Sequence, residues 1–105
     1  MKYFLLEGEH LVPFDDLAPL LPAHAAFLQR GYDAGHFLFS GPQSPPKGGF
    51  LLARAASREA LDALLADEPF VRAGKMRFSR VTEFDPVQHQ PFLADWFGAR
   101  GDSHA

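Results

Sequence analysis

The order of its elements predicts an α+β fold of the split βαβ, ferredoxin-like kind: a four-stranded antiparallel sheet with two helices on one face. Three observations carry this. Short runs rich in Phe, Leu and Val alternate with segments of helical periodicity in the order strand–helix–strand–strand–helix–strand. The second and third runs are joined by a loop too short for a crossover, so they should pair as an antiparallel hairpin. The length, 105 residues and 11.6 kDa, suits one domain and not two. We place that domain at residues 1–97 and expect 98–105, polar and small, to be a disordered tail.

Tyr3-Phe4-Leu5-Leu6 reads as a strand buried on both faces, stopping at Glu7-Gly8. Residues 9–16 are a connector, in which Asp15 or Asp16 is suited to cap the first helix. From Leu17 the apolar residues fall at helical spacing through Leu20 or Leu21 to Phe27 and Leu28. Proline is tolerated only in the first turn of a helix, so Pro19 and Pro22 put the regular part at about Pro22 to Ala34, with Gly35 as its stop. Gly31 is a weak point inside it, or a place where another backbone comes close. His36 to Ser40 is the second strand, closed by Gly41-Pro42. Residues 43–49 form a loop, and Phe50 to Arg54 is the third strand. Ser57 caps a second helix whose inward stripe is Ala60, Leu61, Leu64 and Leu65, ended by Pro69. Pro69 to Gly74 fits one short turn. Met76 to Phe84 is a longer strand with Met76, Phe78, Arg80, Thr82 and Phe84 on one face, and Arg77, Ser79, Val81 and Glu83 on the other. Residues 85–97 end in an amphipathic piece, Phe92-Leu93-Ala94-Asp95-Trp96-Phe97, expected to dock on the body of the protein or on a partner.

Composition narrows the function. A net charge of −3 argues against nucleic-acid binding, which needs a basic face for phosphates. The absence of cysteine excludes disulfides, thiolate metal sites and cysteine nucleophiles. No apolar run approaches the roughly 20 residues that span a bilayer, and Glu7 comes too early for a signal peptide. A cytoplasmic protein is expected. Eleven phenylalanines, two tyrosines and one tryptophan are more aromatic area than a small monomer easily hides. Together with strands apolar on both faces, this surplus calls for an aromatic-walled pocket or a second subunit over the open face of the sheet.

Two residues stand out as carriers of chemistry. His24 lies at spacing three or four from Leu20, Leu21, Phe27 and Leu28, on the apolar stripe and not on the water face. Asp67 lies in the last turn of the second helix, where the helix dipole disfavours an acid by about 0.3–1 kcal/mol, so another interaction must offset it. A shared hydrogen bond would account for both, while a structural histidine and an Asx-type turn at Pro69-Phe70 account for each alone. Glu68, next to Pro69, reads as a solvated cap. Ser40-Gly41-Pro42 offers a hydroxyl and open backbone amides to a ligand, or is simply a strand-ending turn. His10, His36, His89 and His104 show no metal spacing and read as surface residues. No phosphate loop and no nucleophile elbow is present.

The run Pro22-Ala23-His24, then Leu28, Gly35, Phe37-Leu38-Phe39-Ser40-Gly41-Pro42, a glycine-containing hairpin and Ala66-Asp67-Glu68-Pro69-Phe70-Val71-Arg72-Ala73-Gly74 resembles the YCII-related (YciI-like) family over residues 1 to about 85. Glu68 stands between Asp67 and Pro69 where Asp-Asp-Pro is common, and Lys75-Met76 stands where an apolar residue is usual. The resemblance implies a dimeric α+β barrel, formed by two copies with their sheets face to face. It also implies a His–Asp centred active site, carried over by motif to His24 and Asp67. Beside that dyad we expect Ser40, Gly41, Pro42 and Phe70 to meet the substrate. Family members with suggested activity look like lyases or isomerases acting on small, often ring-shaped acids. No cofactor and no metal is implied.

Two readings remain open at the level of sequence. In one, His24 is a general base or acid oriented by Asp67, and backbone groups near Ser40-Gly41 bind a developing oxyanion, so that a proton is abstracted next to a carbonyl. In the other, the chain is a non-catalytic dimer that binds a small-molecule ligand, such as an organic acid, or supports a pathway partner, with His24 structural.

Overall fold

The structure, a computed structural model, describes residues 1–98. The tail expected to be disordered therefore lies outside the described residues, apart from Gly98. The elements are β1 (Lys2–His10), α1 (Phe14–Leu17), a 3-10 turn (Ala18–Leu20), α2 (Leu21–Asp33), β2 (Phe37–Pro42), β3 (Gly48–Ala55), α3 (Arg58–Leu65), α4 (Pro69–Arg72), β4 (Met76–Phe84) and a final 3-10 turn (Pro91–Leu93). The four strands form one antiparallel sheet in the order β2-β3-β1-β4. This is the ferredoxin-like arrangement predicted from the element order.

Local chemistry sets the helix ends. Pro19 and Pro22 each occupy the first turn of a new helical piece, so the chain enters α2 in three short steps. Asp15 and Asp16 sit in the first turn of α1 and do not cap it; its N-cap is Pro13, with no side-chain bond. At the other end of α2, Gly35 adopts φ +80° and lets the Gly35 and His36 amides return to Tyr32 and Gly31, a Schellman stop. Ser57 caps α3 by accepting the Ala60 amide at 3.0 Å. Of the expected α3 stripe, Leu61 and Leu65 are buried and Leu64 packs at the margin, while Ala60 faces solvent.

The main core lies between the sheet and the helices: Phe4, Leu6, Leu51 and Ala53 from the strands against Phe27, Leu61 and Leu65, with Phe37 at the edge. Gly31 lets Phe37 in. A Cβ there would stand 2.1 Å from the Phe37 ring, so the close neighbour is a side chain and not the expected backbone. Both strand ends of β1 and β3 run further than expected, because Gly48 lies so close to Gly8 that a Cβ would meet the Gly8 carbonyl oxygen at 1.7 Å.

One expectation of facing is corrected. Glu7 pairs with Arg80 but Gly8 pairs with Phe78, so Ser79 is an extra residue in β4. This bulge reverses the alternation, and Phe78 and Val81 pack against the same core instead of opposite faces. On the other face of the sheet the C-terminal segment docks through Leu93, Trp96 and Phe97, with Phe97 buried and Trp96 and Leu93 half-buried against Tyr3, Leu52 and Leu38, whereas Phe92, expected to dock with them, is 82% exposed. Arg54 holds it there, its guanidinium 4.7 Å from the Trp96 ring centroid and donating to the Trp96 carbonyl at 2.5 Å.

Candidate active site

A cavity of about 410 Å³ opens between the N-terminal half of α2 and one end of the sheet. Its walls are largely aromatic and aliphatic: Phe14, Leu21, Phe27, Phe70, Met76 and Phe78 among them. Four of the sequence-predicted site residues besides His24 meet it: Ser40, Gly41 and Pro42 from β2, and Phe70 from α4. Among the described residues the ionisable ones on its walls are His10, His24 and Glu68, with no lysine or arginine.

His24 projects from the first turns of α2, where the proline-initiated start leaves its side chain 24% exposed at the cavity. Its Nδ1 lies 2.5 Å from Glu68 Oε1. Glu68 is 1% exposed, and its other oxygen accepts the Val71 amide at 2.9 Å. A carboxylate only accepts, so Nδ1 carries the proton and Nε2 is left as the basic atom of the ring. The His24 imidazole also lies flat on Phe70, with 4.2 Å between centroids and 7° between planes. One edge bond and one stacked face fix the ring in both position and rotation.

The carboxylate beside His24 is thus Glu68, and the expectation for Asp67 is corrected on this point. Asp67 lies beyond the end of α3 with an exposed side chain, and its amide donates to the Leu64 carbonyl. The reason is local. Pro69 starts α4, so Glu68 is the N-cap of that helix, in extended conformation, and its carboxylate turns inward to accept the Val71 amide. That turn buries the next residue along from the one the helix-dipole argument selects. An acid directly before a proline was the signal available for it. His10 was missed as well. It lies on the cavity wall and presents its ring to Phe70 edge to face, at 6.4 Å and 87°. Once β1 is known to reach His10, the alternation from Phe4 and Leu6 puts it on the inner face.

At the far end of the cavity the Ser40 hydroxyl lies 2.5 Å from that of Tyr32, and the two share one hydrogen bond. Eight residues of α2, about 12 Å of helix, separate Tyr32 from His24. The contacts group the side chains in two sets, His24, Glu68 and His10 around Phe70, and Ser40 with Tyr32. Among the described residues no cluster of three His, Asp or Glu side chains is placed to hold a metal ion, and no helix is long and apolar enough to cross a membrane.

Among solved structures the chain is similar to 5-chloro-2-hydroxyhydroquinone dehydrochlorinase from Burkholderia phenoliruptrix AC1100, in complex with 2,5-dihydroxybenzoquinone. The TM-score is 0.63 at 18% identity, covering 88% of this chain and 98% of that one, a likeness of fold. No curated protein matches by sequence. The model of the YCII-related domain matches residues 1–85, which hold every strand, α2 and the loop that carries Glu68. The chain belongs to the YCII-related domain family.

Proposed function

We propose that this protein is a cofactor-independent lyase or isomerase that moves a proton on a small, ring-shaped, oxygen-bearing substrate. The observation that carries the reading is the fixed imidazole: His24 tied through Nδ1 to a buried carboxylate, stacked on Phe70 and edging a mostly apolar cavity. In this reading His24 Nε2 takes a proton from carbon next to a carbonyl. Glu68 takes the orienting role that the sequence pattern gives to Asp67, holding the tautomer and stabilising the imidazolium that forms. The electron pair of the broken C–H bond forms a C=C bond, the carbonyl π pair moves onto oxygen, and the proton returns at another atom or leaves with a departing group. Flat aromatic walls suit a planar ring, and the fold neighbour's ligand is one. The Ser40 hydroxyl and the backbone at Gly41 and Pro42 would meet a substituent at the far end.

A homodimer belongs to the same proposal. Leu5, Phe39 and Phe84 are exposed on or at the rim of the sheet face away from the helices, and the C-terminal segment covers only the part around Tyr3 and Leu52. A second copy over this face would remove that apolar surface from water.

The test uses 2,5-dihydroxybenzoquinone as probe. In D2O the protein should bind it saturably and speed the loss of its ring C–H signal by NMR, and His24→Ala should abolish the acceleration. Binding without acceleration would make the chain a ligand-binding module and overturn the enzyme reading.

A further inference from the structure

We propose that His10 is a second proton-transferring group of this cavity, acting on the substrate oxygen while His24 acts on carbon. The inference rests on the proton-transfer reading above and adds a residue to it. Any proton removed next to a carbonyl leaves charge on oxygen, and that charge must be met in a site of low polarity. Among the described residues the cavity walls hold no lysine or arginine to meet it. The Ser40 and Tyr32 hydroxyls share one hydrogen bond with each other, and the Tyr32 backbone stands about 12 Å of helix rise from that of His24. Along the sheet Ser40 is also distant from His10. Ser40 and Leu6 both pair with Leu51, so His10 stands two strands across from Ser40 and four residues further along.

His10, by contrast, is on the same side as His24. Phe70 touches both rings, one by its face at 4.2 Å and one at 6.4 Å with planes nearly perpendicular. The His10 main chain is anchored, its amide donating to the Lys47 carbonyl at 3.0 Å and its position paired with Met76. Its ring nitrogens make no hydrogen bond among the described residues, whereas the Nδ1 of His24 is committed to Glu68. The two imidazoles are therefore in complementary states of use: one oriented with a single basic nitrogen, the other with both nitrogens free for a ligand.

The proton balance closes. On a keto tautomer neutral His24 takes a proton from the sp3 carbon, the C–H pair becomes part of a C=C bond, and the carbonyl oxygen takes a proton from protonated His10 to give the enol. His24 ends protonated and His10 neutral. The reverse sequence returns the substrate, and exchange with solvent resets both rings. The quinone probe, already an enol with sp2 ring C–H, enters by the reverse step, with a deuteron passing from protonated His24 to the ring carbon while neutral His10 takes the hydroxyl proton.

The experiment measures exchange of the ring C–H of 2,5-dihydroxybenzoquinone in D2O for wild type, His10→Ala, His10→Phe and His24→Ala, with binding of the same probe followed by absorbance. Far-UV circular dichroism and thermal melting establish that each variant is folded. Expected results are a Kd within about threefold of wild type for His10→Ala, an exchange rate at saturation down by about 10²-fold, and partial recovery with added imidazole, which His10→Phe leaves no room to accept. Exchange at the wild-type rate in His10→Ala, with His24→Ala inactive, would overturn the role of His10 and leave the proposed function standing. Absence of accelerated exchange in the wild type would instead remove the reading on which it rests, and the His10 proposal with it.

Discussion

His24 and Phe70 are stacked plane on plane, 4.2 Å apart, although 45 residues of sequence lie between them. The contact joins the start of α2 to α4, and the Glu68 carboxylate closes it from the side. A short helix of four residues thus supplies both things that orient the imidazole, its cap residue and its first aromatic.

Substitution separates the two neighbouring acids. Glu68→Gln should lower exchange of the quinone probe by about 10²-fold, since the amide neither holds the Nδ1–H tautomer as firmly nor stabilises an imidazolium. Asp67→Asn should stay within about twofold of wild type, because its side chain is exposed. Rates measured side by side decide it; equal losses would mean that the bond to Glu68 is not the orienting one.

Glu68→Ala should also cost stability, about 1–3 kcal/mol by urea unfolding. It removes the acceptor of the Val71 amide and leaves the Nδ1 of His24 without its partner. Phe92→Ser is the matching control: Phe92 is 82% exposed and its loss should fall within about 0.5 kcal/mol of zero.

Gly31→Ala should destabilise by about 1–3 kcal/mol, the usual cost of overpacking. The new methyl would stand 2.1 Å from the Phe37 ring, and both residues belong to packed elements. Pairing it with Phe37→Leu should recover part of the loss in the same unfolding assay.

The docked C-terminal segment gives a spectroscopic prediction. Phe97→Ala should cost about 3 kcal/mol and release Trp96 from Tyr3 and Arg54, shifting its fluorescence to longer wavelength. An unchanged emission maximum would mean that Arg54 alone holds the segment.

Sedimentation at micromolar concentration should give about twice the 11.6 kDa of the chain. Leu5→Glu with Phe39→Glu should reduce it to a monomer, since both positions pair with Leu52 on the open face of the sheet. A wild-type monomer would leave that face without the proposed cover.

Local patterning set the order of the strands and the main helices, and that order set the topology. Prolines, glycines and caps act within a few residues, so the start of α2 near Pro22, the stop at Gly35, the cap at Ser57 and the span of β4 were legible, whereas α1 (Phe14–Leu17) fell in what read as a connector. His24 was legible too, because helical periodicity places a residue relative to its own neighbours. Pairing across elements depended on packing in three dimensions. The partner of His24 depended on which of two adjacent acids turned inward, and that was settled by a backbone amide at Val71 that needed an acceptor. The inward position of His10 depended on how far the β1–β3 pairing ran, which rests on the close approach of Gly8 and Gly48. The facing of Val81 depended on a bulge set by two strands in register, not by β4 alone. Periodicity is a property of one segment, whereas a site is made where the unsatisfied groups of several segments meet.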